Sequence, residues 1–237
     1  MTNIAVILAG GTGKRFGAGL PKQLRTLDDG RTVLQTCIDA FRACPMIDDV
    51  LVVMHPDWIN DVQGVQVVAG GKERWESSWH AIERLQDTGY RLQDVNILIH
   101  DAARPFVSRR IIEDVCHALE THEAVTVAVP ATDTMYRVKT ADADGIKTAD
   151  AVGIKTATLV DIPDRTTMWR AQTPQAFRLN LIREAYERFL QPSPFEGESE
   201  RVFTDDCGIL HRYLPEVPIH IVEGEETNRK ITYIEDL

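Results

Sequence analysis

Cysteine is scarce in this sequence: Cys37, Cys44, Cys116 and Cys207 are the four in 237 residues. They are widely scattered, no two form a C-x-x-C pair, and none has a histidine at zinc-ligand spacing. A disulfide framework and a structural zinc site are thereby disfavoured, and all four read as reduced, small apolar packing residues. The expected compartment is the cytoplasm. Long apolar runs are missing as well. The longest near the start, Ile4 to Ala9, has six residues, against about 20 for a membrane span. No basic stretch precedes it and a glycine loop follows, so it does not read as a signal peptide. Positive charge is in deficit, with 26 Lys and Arg against 36 Asp and Glu and a formal net charge of −10. Broad binding to nucleic acid or to an anionic membrane is therefore not expected. Any anionic ligand must be met by a local basic cluster.

Apolar residues make up 43% of the chain, enough for a core without cross-links. Short apolar runs alternate with amphipathic stretches. Residues 4–9, 50–54, 65–69, 95–99, 124–129 and 219–222 read as strands, most of them buried on both faces. Helices are expected over 33–41, 77–85 and 175–190, after Ser108 as an N-cap, and in a short stretch after Asp205. Continuous apolar strands between helices predict an α/β class, a doubly wound and mostly parallel sheet with ligands at the carboxyl ends of its strands. No linker divides the chain, so residues 1–237 read as one domain. The stretch 135–164 differs. It is poor in large apolar residues and carries a near-repeat, Gly145–Asp150 followed by Gly153–Thr158, with Asp144-Gly145 as a turn signal. It reads as an extended β-arm reaching a second subunit, or else as a surface loop.

The segment Leu8-Ala-Gly-Gly-Thr-Gly-Lys-Arg follows the first strand directly. Glycines there let backbone N–H groups approach phosphate closely. A P-loop fails, because Leu8 and Arg15 stand where Gly and Ser or Thr are required. A dinucleotide fingerprint fails too, because Phe16 occupies the third glycine position. Three cations, Lys14, Arg15 and Lys22, nevertheless fall within nine residues, as triphosphate binding would require.

Several further motifs occur in order: Pro21-Lys-Gln, Gly70-Gly-Lys-Glu-Arg-Trp-Glu-Ser77, His100-Asp-Ala-Ala-Arg-Pro105, Asp133-Thr134, Asp164-Arg165, Gln172-Thr-Pro-Gln175, Thr204-Asp205 and Asn228-Arg-Lys-Ile-Thr232. Together with the glycine loop they resemble the 2-C-methyl-D-erythritol 4-phosphate cytidylyltransferase family of the non-mevalonate isoprenoid route, from residue 4 to the end. The ribitol-5-phosphate cytidylyltransferases share most of these motifs and stand as the alternative. The resemblance implies a Rossmann-like nucleotidyltransferase that moves CMP from CTP to a polyol phosphate and releases pyrophosphate.

It also implies roles by position. Arg15, Lys22, Arg165 and Lys230 would be catalytic: the first two at the charged transition state, the last two at the phosphate monoester. Leu8, Ala9, Gly10, Gly11, Gly13, Gly70, Gly71 and Ser77 would bind CTP. Asp101, Arg104, Thr134, Thr173 and Thr204 would meet or place the second substrate, and Asp101 would also hold Mg²⁺. The 135–164 arm would make a homodimer, with Thr134 and Arg165 completing the neighbour's site. Arg74 either supports the Gly70–Gly71 loop or makes a structural salt bridge. His100 reads as a satisfied buried histidine, and Trp75 and Trp79 as helix packing. Two residues depart from the family pattern: Lys72, where an acid is common, and Arg229, where an apolar residue is usual.

Overall fold

The computed structural model describes residues 1–11, 20–139, 157–191 and 203–237. Among them run β1 (Thr2–Ala9), α1 (Val33–Arg42), β2 (Asp49–Met54), β3 (Gln66–Ala69), α2 (Arg74–Gln86), β4 (Val95–Asp101), α3 (Arg109–Thr121), β5 (Ala124–Pro130), β6 (Arg137–Lys139), β7 (Thr158–Asp161), β8 (Trp169–Arg178), α4 (Leu179–Leu190), α5 (Asp206–Tyr213) and β9 (His220–Glu223). Seven strands form one sheet in the order β3-β2-β1-β4-β8-β5-β9. The pairs β1–β2, β1–β4 and β2–β3 are parallel, and β4–β8 is antiparallel. The expected α/β class is therefore found. None of the helices is long and apolar enough to cross a membrane, among the described residues.

Alternation along β1 builds the layers. Ala5, Ile7 and Ala9 face Leu34, Cys37, Ile38 and Phe41 of α1 and Ile111, Ile112 and Val115 of α3. Ile4 and Val6 face Ala81, Ile82 and Leu85 of α2, Ile182 and Tyr186 of α4, and Ile209 and Leu210 of α5. Strand β1 is thus buried on both faces, which is why its sequence reads as an unbroken apolar run. Each fully buried Ile, Leu or Phe contributes roughly 1.5–3 kcal/mol. The cysteines fit this packing. All are free thiols, and burial pushes that of Cys116 up to about 12.

Three expectations need correction. The stretch 175–178 is not helical: it closes the antiparallel strand β8, and α4 begins at Leu179. Ala176 and Phe177 point to opposite faces of the sheet. The pattern Leu179, Ile182, Ala185, Tyr186, Phe189 carries the helix only from its first member onward. Helix α2 starts at Arg74 rather than Ser77, because Glu73 and Glu76 form a capping box ahead of the serines. Strand β3 is only partly covered, as expected of the sheet's edge.

The chain divides into two compact units, Met1–Val127 with Gln172–Leu237, and Ala128–Ala171. In the second unit β6 and β7 pair antiparallel, with Val138 opposite Leu159. Every residue of these two strands is exposed, Val138, Leu159 and Val160 included. The Asp144-Gly145 turn and most of the near-repeat lie outside the described residues.

Candidate active site

The order of strands places the site. From β1 the chain winds outward to β2 and β3, then returns to the other side of β1 as β4. The carboxyl ends of β1 and β4 therefore flank the switch point, where open α/β sheets hold ligands. Leu8 and Asp101 are direct register partners there, and the Ala102 N–H donates to the Leu8 carbonyl at 3.0 Å. A cavity of about 210 Å³ opens at this point. It gathers Leu8, Ala9, Gly10, Gly11, Gly71 and Ser77 with Lys22, Asp101 and Lys230, all within the first unit. Lys72, Glu73 and Arg74 also line it. Four cations thus face two carboxylates in a chain of net charge −10, the local basic cluster that an anionic ligand needs.

Glycines form the back of the cavity. A Cβ on Gly10 would stand 3.2 Å from the Ser77 hydroxyl, and one on Gly70 would stand 3.3 Å from Cα of Gly10. A side chain at either position would need its neighbours to give by a few tenths of an ångström. The Ser77 hydroxyl accepts from the Gly71 N–H at 3.1 Å, so Ser77 ties the second glycine loop to α2. A Cβ on Gly71 would fall on the side chain of Glu76, whose carboxylate accepts from the Lys72 and Glu73 N–H groups. Gly71→Ala is accordingly expected to break this cap and lower stability by about 1–3 kcal/mol. Thermal denaturation checks it. An unchanged midpoint would show that Glu76 can move aside.

Gln23 is buried, and sequence marks it only by its place in Pro21-Lys-Gln. Its amide donates to the carbonyls of Ala9 and Gly11, the latter at 2.9 Å. It thereby fixes the start of the glycine loop next to Lys22, whose Nζ donates to the Ile231 carbonyl at 2.7 Å. A buried glutamine in a polar motif carries no periodicity, so only its partners reveal its work.

Asp101 is the node of the site. Its Oδ2 accepts from Lys230 Nζ at 2.7 Å and its Oδ1 from Arg74 Nε at 3.2 Å. Burial disfavours the charged form, but Arg74 and Lys230 outweigh it and hold the carboxyl well below the usual range. Behind Asp101 stand His100 and Thr173. Burial pushes the His100 imidazole down to about 4, so it is neutral at pH 7. Its Nε2 lies 3.0 Å from the Arg104 carbonyl, which can only accept, so Nε2 carries the proton. Nδ1 then accepts from the Thr173 hydroxyl at 3.0 Å, and that hydroxyl accepts from the Asp101 N–H at 3.1 Å. Thr173 is thus occupied in holding Asp101. Arg104 NH1 donates to the Asn228 carbonyl at 2.7 Å and secures the segment that carries Lys230.

Other expected residues are not among those that line the cavity in the described part of the first unit. Gly13, Arg15 and the neighbouring Lys14 are outside the described residues. Thr134 and Arg165 belong to the second unit, where Arg165 NH1 donates to the Thr132 carbonyl at 2.9 Å. Thr204 is exposed just before Asp205, the N-cap of α5, and does not line the cavity. Trp75 packs edge-on against Phe189 and Trp79 stacks on Tyr186, so both serve helix packing. Arg229 lies over the Phe106 ring at 5.6 Å, on the surface beside Lys230.

Comparison with known proteins identifies the family. The family model for 2-C-methyl-D-erythritol 4-phosphate cytidylyltransferase matches residues 3–237. The protein of that name from Thermobifida fusca is 41% identical, over 98% of this chain and 89% of its own. The Haemophilus influenzae bifunctional ribulose 5-phosphate reductase/CDP-ribitol pyrophosphorylase is 34% identical over 99% of this chain and 46% of its own. The crystal structure of Francisella tularensis 2-C-methyl-D-erythritol 4-phosphate cytidylyltransferase superposes with a TM-score of 0.74 at 26% identity, covering 100% of this chain and 96% of that one. With a glycine-backed, cation-rich cavity at the switch point and a match over nearly its whole length, the chain belongs to the 2-C-methyl-D-erythritol 4-phosphate cytidylyltransferase family.

Proposed function

We propose that this protein transfers CMP from CTP to 2-C-methyl-D-erythritol 4-phosphate, giving 4-diphosphocytidyl-2-C-methyl-D-erythritol and pyrophosphate. The observation that carries the reading is the surplus of cations in a glycine-walled cavity of an otherwise acidic chain. A phosphate-monoester oxygen attacks the α-phosphorus of CTP. A new P–O bond forms, the bond to the β-phosphate bridging oxygen breaks, and pyrophosphate leaves with the electron pair. No covalent enzyme intermediate is needed, so the protein's task is to position the two anions and offset their charge. The backbone of Leu8–Gly11 and Gly70–Gly71, with Ser77, forms the wall for the nucleoside. Lys22 offsets charge on the triphosphate, together with Arg15. Lys230 receives the phosphate monoester, and Asp101, held by Thr173, orders Lys230 beforehand.

The donor set suits Mg²⁺ in one mode. Among the described residues no group of three Asp, Glu, His or Cys side chains converges to hold a metal ion. Magnesium commonly uses one or two carboxylates plus substrate phosphates, and Asp101 is the cavity carboxylate that would serve once Lys230 leaves its Oδ2. When bound, the ion would add positive charge against the triphosphate.

The test is pyrophosphate release with CTP and Mg²⁺, offering 2-C-methyl-D-erythritol 4-phosphate and ribitol 5-phosphate separately. Turnover of the first alone is expected. Turnover of ribitol 5-phosphate alone would keep the chemistry and move the substrate, the reading that the CDP-ribitol relative favours.

Arg165 and Thr134 are proposed to meet the sugar phosphate, and the β6–β7 arm to build a homodimer that brings them to the neighbour's site. The exposed apolar residues Val138, Leu159 and Val160 support the second point, because a two-stranded hairpin is marginal alone. Arg165→Ala should raise the KM for the sugar phosphate by about tenfold or more, leaving that for CTP nearly unchanged; an effect on CTP alone would contradict the placement. Deleting residues 142–158 should give monomers by light scattering, and a stable dimer after deletion would reduce the arm to a loop.

A further inference from the structure

One buried ionic chain leads away from the cavity, and the mechanism above does not use it. Arg74 reaches two carboxylates on different elements. Its Nε donates to Asp101 Oδ1 at the end of β4, at 3.2 Å, and its NH1 donates to Asp206 Oδ2 in the first turn of α5, at 2.7 Å. Asp206 is fully buried. Its other oxygen, Oδ1, accepts from the Tyr186 hydroxyl of α4 at 2.6 Å, and its backbone N–H donates to Gln175 Oε1 at 3.0 Å. Tyr186 is fully buried too, with Trp79 stacked on its ring. Asp206 therefore has no freedom to move, and it pins one edge of the guanidinium.

The other end of the chain is built differently. Lys230, on the second oxygen of Asp101, is 40% exposed, whereas the Asp101 side chain is 14% exposed. If Lys230 turns to an incoming phosphate, Asp101 loses one of its two cations while staying largely buried. An unpaired carboxylate there would be costly and free to rotate. We propose that Arg74, anchored by Asp206 and Tyr186, is a positioning residue that keeps Asp101 paired and oriented while Lys230 exchanges from it to substrate. This deepens the reading of the reaction given above and rests on it.

The geometry makes a distinctive demand. One planar fork spans two carboxylates through two of its edges, and a point charge cannot. Arg74→Lys should thus lower kcat by about 10- to 100-fold, although it keeps the charge. Tyr186→Phe leaves the ring and removes one hydroxyl, and it should lower kcat by about three- to tenfold, with each KM changed less than about twofold. The pair should not add: in the Arg74→Lys background, Tyr186→Phe should cost nothing further. A purely structural tyrosine would lower the thermal midpoint and leave kcat alone in assays well below that midpoint. Parental kcat in Tyr186→Phe overturns the proposal, and so does full additivity. If Arg74→Lys does not fold, Tyr186→Phe decides by itself. A second readout does not need turnover. The Arg74 Nε–H, followed by nitrogen-15 NMR, should exchange slowly in the parent and markedly faster in Tyr186→Phe. Failure of the parent to release pyrophosphate would overturn the reaction, whereas unchanged Nε–H exchange would overturn the relay.

Discussion

Replacing Lys22 by alanine is expected to lower kcat by at least about 100-fold while changing the KM for CTP less than about threefold. The asymmetry follows from where the charge grows. Triphosphate in the ground state spreads its charge over many oxygens and is met by several cations and backbone donors. In the transition state, charge concentrates on the α-phosphate and on the departing pyrophosphate. A cation already fixed at that place gains interaction without reorganising. Lys22 is fixed in this sense. It opens a single turn of 3-10 helix, Lys22–Leu24, and its ammonium donates to the Ile231 carbonyl. The next residue, Gln23, is buried and bonds the carbonyls of Ala9 and Gly11. The lysine and the glycine loop are consequently one mechanical unit. The Ile231 hydrogen bond that the variant loses is worth about 0.5–1.5 kcal/mol, and a melting curve recorded beside the kinetics separates any loss of fold from the loss of rate. Steady-state pyrophosphate release checks it. A near-normal kcat would remove Lys22 from the transition state and leave it as a loop anchor.

How far the sequence foretold this site depends on what kind of signal each residue carries. Strands β1, β2 and β4 are legible because both faces are buried, which forces unbroken runs such as Val50–Met54. Helices α1 and α3 are legible because one face is apolar and, for α3, because Ser108 is an N-cap whose hydroxyl accepts a backbone hydrogen bond. Strand β8 is not legible. Its buried Gln172, Thr173 and Gln175 are polar and are satisfied by partners more than 25 residues away in sequence: Glu225, His100 and Asp205. Long-range pairing of that kind leaves no local period. The helix pattern beginning at Leu179 therefore spreads backward over it in any local reading. In the site, the glycines and the lysines are visible as motifs, but the ties between them are not. That Lys230 meets Asp101 across 129 residues is a property of the switch point, not of spacing. Arg74 shows the limit most clearly. Sequence allows it a structural salt bridge or a supporting role, and the fold gives it two carboxylates at once.

Lys230→Met should separate activity from stability more sharply than any other single change. We expect kcat/KM for the polyol phosphate to fall by about 100-fold or more, with the KM for CTP little changed. The thermal midpoint should move by no more than about 2–4 °C, because the lysine end of the pair is exposed and the buried Asp101 keeps Arg74 as its cation. Methionine keeps the apolar stem, so the loss is confined to charge. The small stability effect is itself a consequence of the geometry. Lys230 is 40% exposed, and its removal still leaves Asp101 bonded to Arg74 on one oxygen and held through its N–H by Thr173. Asp101→Ala should behave in the opposite way. It strips the shared carboxylate from Arg74 and Lys230, leaves Arg74 with Asp206 alone, and should lower the midpoint well beyond the Lys230 variant. Parallel melting curves of the two variants, with substrate kinetics on each, decide the matter. If Lys230→Met melts as early as Asp101→Ala, the 2.7 Å pair is a strut of the fold, and the phosphate must be received by another cation. If it melts with the parent and fails only on the polyol phosphate, the pair is a resting contact that the substrate displaces.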